Sequence, residues 1–274
     1  MEKLIITAAI TGAETTKEMN PNLPVTPEEQ ARDAAACVKA GASVIHLHVR
    51  DKDGKPSQSL DNFRASIEAI RAACKPTPII QISTGGAVGE AMEKRIAPIV
   101  HLKPEMASLN INSMNFGNDI FLNHPSDVEK LAKHMQDLGI IPEVEVYDAG
   151  DIELAQRMHK KGLLKTPIHY QFVLGVPGGL SGEAYNLTHM TRLITPQDGW
   201  AVAGVGRYET PLSAMAIVMG GLLRVGFEDN VYYQKGEMAK SNAQLVERIV
   251  RIAKEVGREV ATPAEAKEIL GIKK

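Results

Sequence analysis

The chain has 274 residues, with 31 lysines and arginines against 33 aspartates and glutamates and a formal net charge of −2. This near-neutral balance argues against a nucleic-acid-binding surface, which needs clustered positive charge. Apolar residues make up 44% of the chain and charged residues 23%, an ordinary globular composition that excludes disorder, collagen and coiled coil. The length suits either two small domains or one α/β barrel of roughly 250 residues.

Cysteine usage and the first residues bear on the cellular compartment. Cys37 and Cys74 are too few for a disulfide framework or a zinc ribbon, and we interpret both as small buried apolar residues. The start of the chain, with Glu2 before a short apolar run, predicts a first strand and not a signal peptide. The longest apolar stretch, residues 214–223, is far below the roughly 18 residues that span a bilayer. We therefore expect a reducing, cytoplasmic setting.

Short apolar runs typical of β-strands alternate along the chain with longer helical patterns. The predicted strands cover residues 4–9, 43–49, 78–83, 106–109, 140–146, 168–174, 200–203 and 223–226. The predicted helices cover residues 27–40, 60–73, 89–96, 125–138, 148–161, 187–193, 211–220 and 239–256, with a short terminal helix at 263–270.

The first helix carries the clearest local signals. Thr26 is placed as its N-cap, Pro27 falls in the first turn, Glu29 completes a capping box, and Gly41 follows the last turn. Repeated β/α units without a low-complexity linker imply a parallel sheet. Eight such units favour closure into an α/β (β/α)8 TIM barrel over a doubly wound open sheet. We expect residues 1–274 to form a single TIM-barrel catalytic domain.

Two histidines near the end of the second predicted strand carry the most information about function. Strand side chains alternate, so Val44, His46 and His48 share one face, while Ile45 and Leu47 pack outward on helices. Both imidazoles then face the barrel interior, where they suit a divalent metal ion. From this spacing alone, one hydrogen-bonded core histidine and one solvated histidine are an equally good interpretation.

A third metal ligand is expected from the turn after the eighth strand. Glu228 and Asp229 follow that strand, which neighbours the first strand in a closed barrel, with the second strand one position further. Two histidines and one carboxylate with open positions form a catalytic zinc arrangement, which iron or manganese would also accept. A solvated acidic turn is the alternative interpretation of this acid pair.

Polar residues stand near the ends of most other predicted strands, on the face where barrel active sites lie. They are Glu14, Ser83, Ser108, Asn110, Glu143, Glu145, Gln171 and Arg224. Glycine-rich turns at Gly85 and Gly86 and at residues 175–179 offer backbone N–H groups to an anion, although a tight turn explains glycine equally well. The turn at residues 204–207 lacks the third glycine of a dinucleotide fingerprint, so we do not expect NAD binding.

A series of sequence blocks, in conserved order along nearly the whole chain, resembles the β-keto acid cleavage enzyme family. The blocks are residues 4–16, 44–50, 82–87, 103–107, 142–147, 171–179, 226–230 and 241–246. The resemblance implies a TIM barrel with a zinc ion on His46, His48 and Glu228. It also implies a reaction of a β-keto acid with acetyl-CoA that gives acetoacetate and the CoA ester of the remaining acyl group.

Within that family, the resemblance is strongest to members that convert 3-keto-5-aminohexanoate to 3-aminobutyryl-CoA in lysine fermentation. It implies that Asp229 is the base that takes a proton from the keto acid, oriented by Ser83, Glu14 and Arg224. It further implies a homotetramer, with small molecules and no nucleic acid or membrane as partners. The residues expected to contact the substrate are Ser108, Gly85, Gly86 and Glu143, and the alternative for Glu143 is that it only orients neighbouring site residues.

Substrate identity is the least determined part of this interpretation. Position 108 is serine where the family carries threonine, which keeps a hydroxyl but slightly enlarges the pocket. Glu14 and Asp229 together favour a substrate with a cationic tail. The same reaction on another β-keto acid, a metal-dependent barrel aldolase or hydrolase, and a non-catalytic ligand-binding barrel are the alternatives. Dependence of the reaction on acetyl-CoA separates them.

Overall fold

The computed structural model describes residues 1–87 and 89–273, so Val88 and Lys274 of the predicted domain lie outside the described residues. Within the described part, parallel strands close into one barrel, which confirms the predicted α/β TIM-barrel fold. In chain order the barrel strands are β1 (Ile6–Ala9), β2 (Val44–Leu47), β3 (Ile79–Ile82), β4 (Met106–Asn110), β5 (Ile141–Val146), β6 (His169–Leu174), β7 (Gly199–Gly204) and β8 (Leu222–Val225).

A helix follows each barrel strand, and one further helix ends the chain. The helices are α1 (Pro27–Ala40), α2 (Leu60–Ala73), α3 (Met92–Leu102), α4 (Pro125–Leu138), α5 (Ala149–Lys160), α6 (Ala184–Thr191), α7 (Glu209–Met219), α8 (Asn242–Glu255) and α9 (Pro263–Ile269). Each strand pairs in parallel with its sequence neighbours, and β8 pairs with β1 to close the ring.

Local sequence signals account for where α1 begins and ends. The Thr26 side chain accepts a hydrogen bond from the amide of Glu29, and the Glu29 side chain accepts from the N-cap backbone, so the predicted capping box is confirmed. A cap of this kind stabilises a helix by about 1 kcal/mol. Gly41 follows the helix with φ +124° and donates its amide to carbonyls of the last turn, as predicted.

The barrel strands separate two cores, as the alternation of their side chains predicts. Ile45 and Leu47 point outward into the main core, which they share with Cys37 of α1 and Phe63 of α2. The opposite face of β2 begins with Val44, which belongs to a second cluster in the barrel interior. This second cluster is Ile5, Val44, Ile79 and Met106 with Ala261, Ala266 and Leu270, so residues of the C-terminal segment cover the amino-terminal end of the barrel.

Several predicted helices differ by a few residues from the structure, and the third differs most in its bounds. The helix predicted at residues 89–96 runs instead over Met92–Leu102 and contains Pro98. Proline has no amide hydrogen for a helix, so the sequence predicts an end before it. Pro98 and Ile99 are buried, and this packing maintains the helix. The start of α3 lacks a sequence signal because its N-cap, Ala91, makes no side-chain hydrogen bond.

Short antiparallel hairpins that the sequence did not predict stand on the loops. They pair Val49–Arg50 with Pro56–Ser57, Met114–Phe116 with Asp119–Phe121, and Tyr232–Gln234 with Glu237–Met238. The second predicted strand therefore ends at Leu47, and residues 49–50 belong to a hairpin. Both cysteines are free and buried, as predicted. Among the described residues, no helix combines the length and the apolarity needed to cross a bilayer.

Candidate metal and catalytic site

A cavity of about 400 Å³ opens where the carboxyl ends of the barrel strands meet. This is the end at which TIM-barrel enzymes place their active sites. The predicted site residues that line it are Glu14, His48, Ser83, Gly85, Gly86, Arg224, Glu228 and Asp229. The fold therefore gathers side chains from widely separated parts of the sequence into one cavity.

His46, His48 and Glu228 form a compact group at the base of this cavity. The Nε2 atoms of His46 and His48 each lie 3.4 Å from Oε1 of Glu228, and the potential ligand atoms of the three residues lie within 4.8 Å of one another. The two imidazole rings have centroids 5.3 Å apart. Both histidines are buried. Strand alternation brings the histidines to one face, and the pairing of β8 with β1 brings the carboxylate.

The backbone around Glu228 is anchored to the loop that follows β1. The amide of Glu228 donates to the carbonyl of Ala9 at 3.1 Å, and the Thr15 hydroxyl donates to the carbonyl of Phe227 at 2.8 Å. Gly12 makes this approach possible, because a Cβ at that position would lie 2.8 Å from Cγ of Glu228. Its φ of +69° also favours glycine.

The donor set of this group fits a divalent metal ion. Nε2 of His46 and Oε2 of Glu228 are buried and have no hydrogen-bond partner among the described residues. A buried polar atom without a partner costs free energy, so a ligand is expected there. Two imidazole nitrogens and a carboxylate oxygen are donors that zinc, iron and manganese accept.

Arg224 connects this group to the predicted base. Its Nε and Nη2 donate to both carboxylate oxygens of Asp229 at 2.8 and 2.6 Å, and Nη2 also donates to Glu228 at 3.0 Å. Its Nη1 donates to Oε1 of Glu145 at 3.1 Å. All four side chains are largely buried. One guanidinium therefore fixes the positions of three carboxylates in the cavity wall.

The pKa values of the acid pair are shifted in opposite directions. Burial would raise the pKa of Glu228, but the positive charge of Arg224 and the neighbouring His46 and His48 rings hold it well below its usual range. Burial raises the pKa of Asp229, and the Glu228 charge adds to this, so that Arg224 only partly offsets the rise. Glu228 is thus a permanent anion, while Asp229 is the more basic carboxylate.

Buried polar contacts hold the loop that carries the acid pair. Glu209, the first residue of α7, accepts hydrogen bonds from the amide of Gly226 and the side chain of Asn230, both at 3.0 Å. The amide of Gly206 donates to the carbonyl of Asp229 at 2.8 Å. Burial raises the pKa of Glu209 to about 8. These contacts give Glu228 and Asp229 a rigid support.

The glycine-rich turn after β3 is fastened to β4. The Ser83 hydroxyl accepts a hydrogen bond from the amide of Gly85 at 3.2 Å. The Ser108 hydroxyl accepts from the amide of Thr84 at 3.1 Å, while the Thr84 hydroxyl donates to the carbonyl of Ser108 at 2.7 Å. Ser108 is fully buried and is not part of the cavity lining. In this position its hydroxyl supports the turn that presents Ser83 and Gly85.

Glu143 and Glu145 lie on the same face of β5 but at different depths. Glu143 pairs in register with Ser108 and accepts a hydrogen bond from Gln81, outside the cavity lining, whereas Glu145 pairs with Asn110 and lines the cavity. From the sequence, Glu143 was predicted either to contact the substrate or to orient its neighbours, and Glu145 had no predicted role. Both residues have the same alternation signal, and only the level at which the barrel opens distinguishes them.

Other cavity residues carried weaker signals in the sequence. The Tyr147 hydroxyl donates to Oδ1 of Asn110 at 3.2 Å, and both residues line the cavity. Phe116 and Phe121 come from the hairpin after β4, and the Phe116 ring meets those of Phe121 and Tyr147 edge-on, with centroids 6.1 and 6.4 Å apart. The hairpin had no sequence signal, so its aromatic contribution to the wall was missed.

A closed (β/α)8 barrel with its cavity at the carboxyl ends of the strands has the architecture of the TIM-barrel enzymes. A family model described as beta-keto acid cleavage enzyme matches residues 3–272. The chain belongs to the β-keto acid cleavage enzyme family, as the sequence blocks indicate, and is an enzyme of that family.

Individual relatives support this assignment. The chain is 54% identical over 275 residues to the 3-keto-5-aminohexanoate cleavage enzyme of Acetoanaerobium sticklandii, with 100% of both chains covered. It is 38% identical over 271 residues to the 3-oxoadipate:acetyl-CoA acetyltransferase of Cupriavidus necator, covering 98% of this chain and 94% of that protein. Family membership therefore rests on full-length similarity.

Solved structures show the same fold at lower sequence identity. The apo structure of ObcA superposes with a TM-score of 0.78 at 20% identity. The likeness covers 92% of this chain and 66% of that chain, so this chain spans about two thirds of the length of ObcA. At this identity the comparison shows the barrel fold alone.

Proposed function

We propose that the protein exchanges the acyl groups of a β-keto acid and acetyl-CoA, giving acetoacetate and a new acyl-CoA. The proposed physiological reaction converts 3-keto-5-aminohexanoate and acetyl-CoA to acetoacetate and 3-aminobutyryl-CoA in lysine fermentation. The observation that carries the proposal is the Asp229 carboxylate held by Arg224 beside the His46, His48 and Glu228 group. Family membership and the names of the relatives support the reaction class.

His46, His48 and Glu228 are proposed to hold a zinc ion. The unpartnered Nε2 of His46 and Oε2 of Glu228, both buried, support this assignment. When bound, zinc acts as a Lewis acid that polarises the ketone of a β-keto acid and makes its methylene protons more acidic. Glu228 contributes a fixed negative charge, because its pKa lies well below the usual range.

Asp229 is proposed to remove a proton from the methylene between the ketone and the carboxylate of the substrate. Burial raises its pKa, which makes it a stronger base than an exposed aspartate. The carbanion attacks the thioester carbonyl of acetyl-CoA, the CoA sulfur passes to the original ketone carbon, and the bond between that carbon and the methylene breaks. The methylene carbon then carries the acetyl group, and the proton on Asp229 returns to it.

Other residues are proposed to orient the substrates. Ser83 and the backbone of Gly85 and Gly86 lie in the cavity wall, where hydroxyl and N–H groups can bind a carboxylate or thioester oxygen. Arg224 holds Asp229 and neutralises part of the negative charge around it. Ser108 is proposed to act through the turn that it supports.

The charge of the cavity supports a substrate with a cationic tail. Glu14, Glu145, Glu228 and Asp229 line it, against the single guanidinium of Arg224 among the lysines and arginines of the described lining. A metal ion would offset part of this excess near the histidines, but not at Glu14, which is exposed. The ammonium group of 3-keto-5-aminohexanoate has the complementary charge.

The wider organisation of the enzyme is also a proposal. Following the family resemblance, we propose that residues 1–274 form one catalytic domain and that the chain assembles as a homotetramer in the cytoplasm.

The proposed function is tested with a panel of β-keto acids on protein whose metal content has been measured. Acetoacetate is expected only when acetyl-CoA is present, and 3-keto-5-aminohexanoate should react faster than an analogue without the amino group. Acetoacetate formation without acetyl-CoA would contradict the reaction. If the uncharged analogue reacted and 3-keto-5-aminohexanoate did not, the proposed substrate would be wrong while the reaction class would stand.

A further inference from the structure

A row of buried polar side chains crosses the barrel interior beneath the cavity. Nδ1 of His46 lies 2.5 Å from Oε1 of Gln81, its register neighbour on β3, and Nε2 of Gln81 donates to Oε2 of Glu143 at 2.9 Å. His46 is 1% exposed, Gln81 0% and Glu143 6%. Polar groups are costly to bury, and apolar side chains usually fill this part of a barrel, so the row needs a physical explanation.

The direction of each hydrogen bond in the row follows from Glu143. A carboxylate oxygen accepts, so Gln81 turns its Nε2 toward Glu143 and its Oε1 toward His46. Because an amide oxygen only accepts, the hydrogen of a neutral His46 ring must be on Nδ1. Nε2 then keeps its lone pair, and it is the atom that lies 3.4 Å from Glu228 without a hydrogen-bond partner among the described residues.

We propose that Gln81 and Glu143 are positioning residues that hold His46 in its Nδ1–H tautomer, with the Nε2 lone pair directed at the metal ion. This inference rests on the metal site of the proposed function. Without Glu143, the Gln81 amide is free to flip and to present its Nε2 hydrogens to Nδ1 of His46. That arrangement selects the opposite tautomer, whose Nε2 hydrogen blocks metal binding.

Three substitutions separate this role from simple packing. Gln81→Met and Glu143→Met remove one acceptor each at similar volume and are expected to weaken zinc binding about 10- to 100-fold, the usual cost of losing a partner behind a metal ligand. Glu143→Gln keeps an oxygen that can accept from Gln81 but can also donate to it, so it only partly fixes the direction of the row, and its zinc affinity should lie between those of the wild type and Glu143→Met. Zinc affinity is measured by competition with a chelator of known strength.

Gln171 on β6 provides the matched control. It is a fully buried glutamine in the same interior, and its side-chain nitrogen and oxygen have no hydrogen-bond partner among the described residues. Gln171→Met makes the same chemical change as Gln81→Met without touching the row. Zinc affinity should therefore be unchanged in this variant. Equal losses in Gln171→Met and Gln81→Met would overturn the proposal.

The tautomer itself is measured without metal, by ¹⁵N NMR of histidine-labelled apo protein. At a pH where the ring is neutral, His46 of the wild type should show a protonated Nδ1 and an unprotonated Nε2, and Gln81→Met should lose this preference. A wild-type ring protonated at Nε2 would overturn the proposal even if a variant failed to fold. A wild type that binds no zinc yet shows the Nδ1–H tautomer would contradict the proposed metal site and leave the tautomer assignment standing.

A separate observation concerns the turn after β7, to which the proposed reaction steps assign no role. Val205 and Gly206 line the cavity, and Arg207 is the next residue along the chain. The Arg207 guanidinium is fully exposed, stacks over the Tyr208 ring at 4.8 Å from its centroid and donates to the Tyr208 hydroxyl at 2.7 Å. A Cβ at Gly182 would lie 2.1 Å from the Tyr208 ring, so glycine lets this ring pack closely.

The exposed Arg207 also differs in charge from the acidic side chains that line the cavity. CoA carries several phosphate charges, and the acidic interior around Glu14, Glu145 and Asp229 repels them. The phosphates must therefore bind outside, at the distance set by the pantetheine arm. Loops after strands 7 and 8 frequently bind phosphate in TIM barrels. An arginine stacked on a fixed ring still offers N–H donors in the planar arrangement that phosphate accepts.

From this arrangement we infer that Arg207 binds a phosphate group of the CoA substrate, an inference that rests on the proposed use of acetyl-CoA. Arg207→Ala should raise the KM for acetyl-CoA about tenfold and leave the KM for the acetyl thioester of pantetheine, which has no phosphate, unchanged. The control is Arg157→Ala, which removes an exposed arginine on α5 and should change neither value.

The thioester pair decides between the possible roles of Arg207. Equal changes in KM for both thioesters, or no change for either, would overturn the phosphate assignment. If neither thioester supported acetoacetate formation in the wild type, the proposed function would be contradicted. The phosphate assignment, which depends on the use of acetyl-CoA, would then be wrong as well.

Discussion

Arg224 binds Asp229 at two points, with Nε 2.8 Å from Oδ2 and Nη2 2.6 Å from Oδ1. The same guanidinium reaches Glu145 and Glu228, so the orientation of Asp229 depends on a network that spans β5 and β8. Two-point binding fixes the plane of the carboxylate as well as its position. A base held in this way needs little reorganisation when it accepts a proton.

Asp229→Asn should retain the metal but lose the ability to remove a proton from the keto acid. The amide has nearly the shape of the carboxylate but is not a base, so acetoacetate formation should fall at least about 100-fold. Deuterium exchange at the substrate methylene, measured above the spontaneous rate in the absence of acetyl-CoA, should disappear. Exchange at the wild-type rate would remove Asp229 from the role of base.

Glu145→Gln should have a smaller effect, because it removes one partner of Arg224 and leaves Asp229 in place. The neutral amide still offers an oxygen to Nη1 of Arg224, so activity should fall about tenfold and not to the level of Asp229→Asn. Steady-state kinetics of the two variants under the same conditions test this order. A loss in Glu145→Gln as large as in Asp229→Asn would show that Glu145 takes part in proton removal.

Glu14→Gln should affect only substrates that carry a positive charge. If Glu14 faces the ammonium group of 3-keto-5-aminohexanoate, the substitution should raise the KM for this substrate about 2- to 5-fold, the usual effect of one exposed ion pair. The KM for an analogue without the amino group should not change. Equal changes for both substrates would place Glu14 in the chemistry and not in recognition of the tail.

Gly12→Ala should weaken metal binding through a clash with Glu228, whose Cγ would lie 2.8 Å from the new methyl group. The matched control is Gly54→Ala. Gly54 has a similar φ of +77° against +69° at Gly12, but its Cβ would meet nothing within 4 Å among the described residues. Both variants therefore carry the backbone strain, and only Gly12→Ala should bind zinc about tenfold more weakly or worse. Equal zinc affinities in Gly12→Ala and Gly54→Ala would mean that Glu228 can move away from the new methyl group without weakening zinc binding.

Glu209 should make the fold less stable as the pH rises. Burial raises its pKa to about 8 from its ordinary value of 4.5. Between these values the folded state keeps a proton that the unfolded state has released, so the stabilising contribution is complete below about pH 4.5 and is lost as the pH rises through about 8. The slope should not exceed about 1.4 kcal/mol per pH unit.

Comparison with Glu209→Gln isolates this contribution, since all other titrating groups are shared. Free energies of unfolding from denaturant titrations at pH 5 to 8 should show the wild type losing stability relative to the variant as the pH rises. Parallel pH dependences of the two proteins would contradict the raised pKa.

The proximity of the two histidines to the acidic turn after β8 could be predicted from the sequence because two simple rules determine it. The alternation of side chains in a strand places His46 and His48 together, and the closure of an eight-strand barrel places the end of β8, with Glu228, beside β1. Neither rule depends on details of side-chain packing. The structure brings these three side chains together, whereas the choice of Glu228 over Asp229 as the proposed ligand came from the family resemblance.

The depth at which each strand residue lies along the barrel axis could not be predicted in the same way. Glu143 and Glu145 differ by two residues, or roughly 6.6 Å along the strand, and share one face. Only the stagger of neighbouring strands determines which of them reaches the cavity. Phe116 and Phe121 could not be anticipated either, because their hairpin is folded by contacts with distant loops, such as the amide of Gly117 donating to the carbonyl of Pro177.

The most direct test of the metal site is anomalous X-ray diffraction from crystals of the zinc-loaded protein, recorded above and below the zinc absorption edge. The account predicts one strong difference peak about 2.0–2.2 Å from Nε2 of His46, Nε2 of His48 and a carboxylate oxygen of Glu228. A zinc peak at other residues would contradict the account. So would the absence of a peak at these three residues in protein that retains full acetyl-CoA-dependent activity.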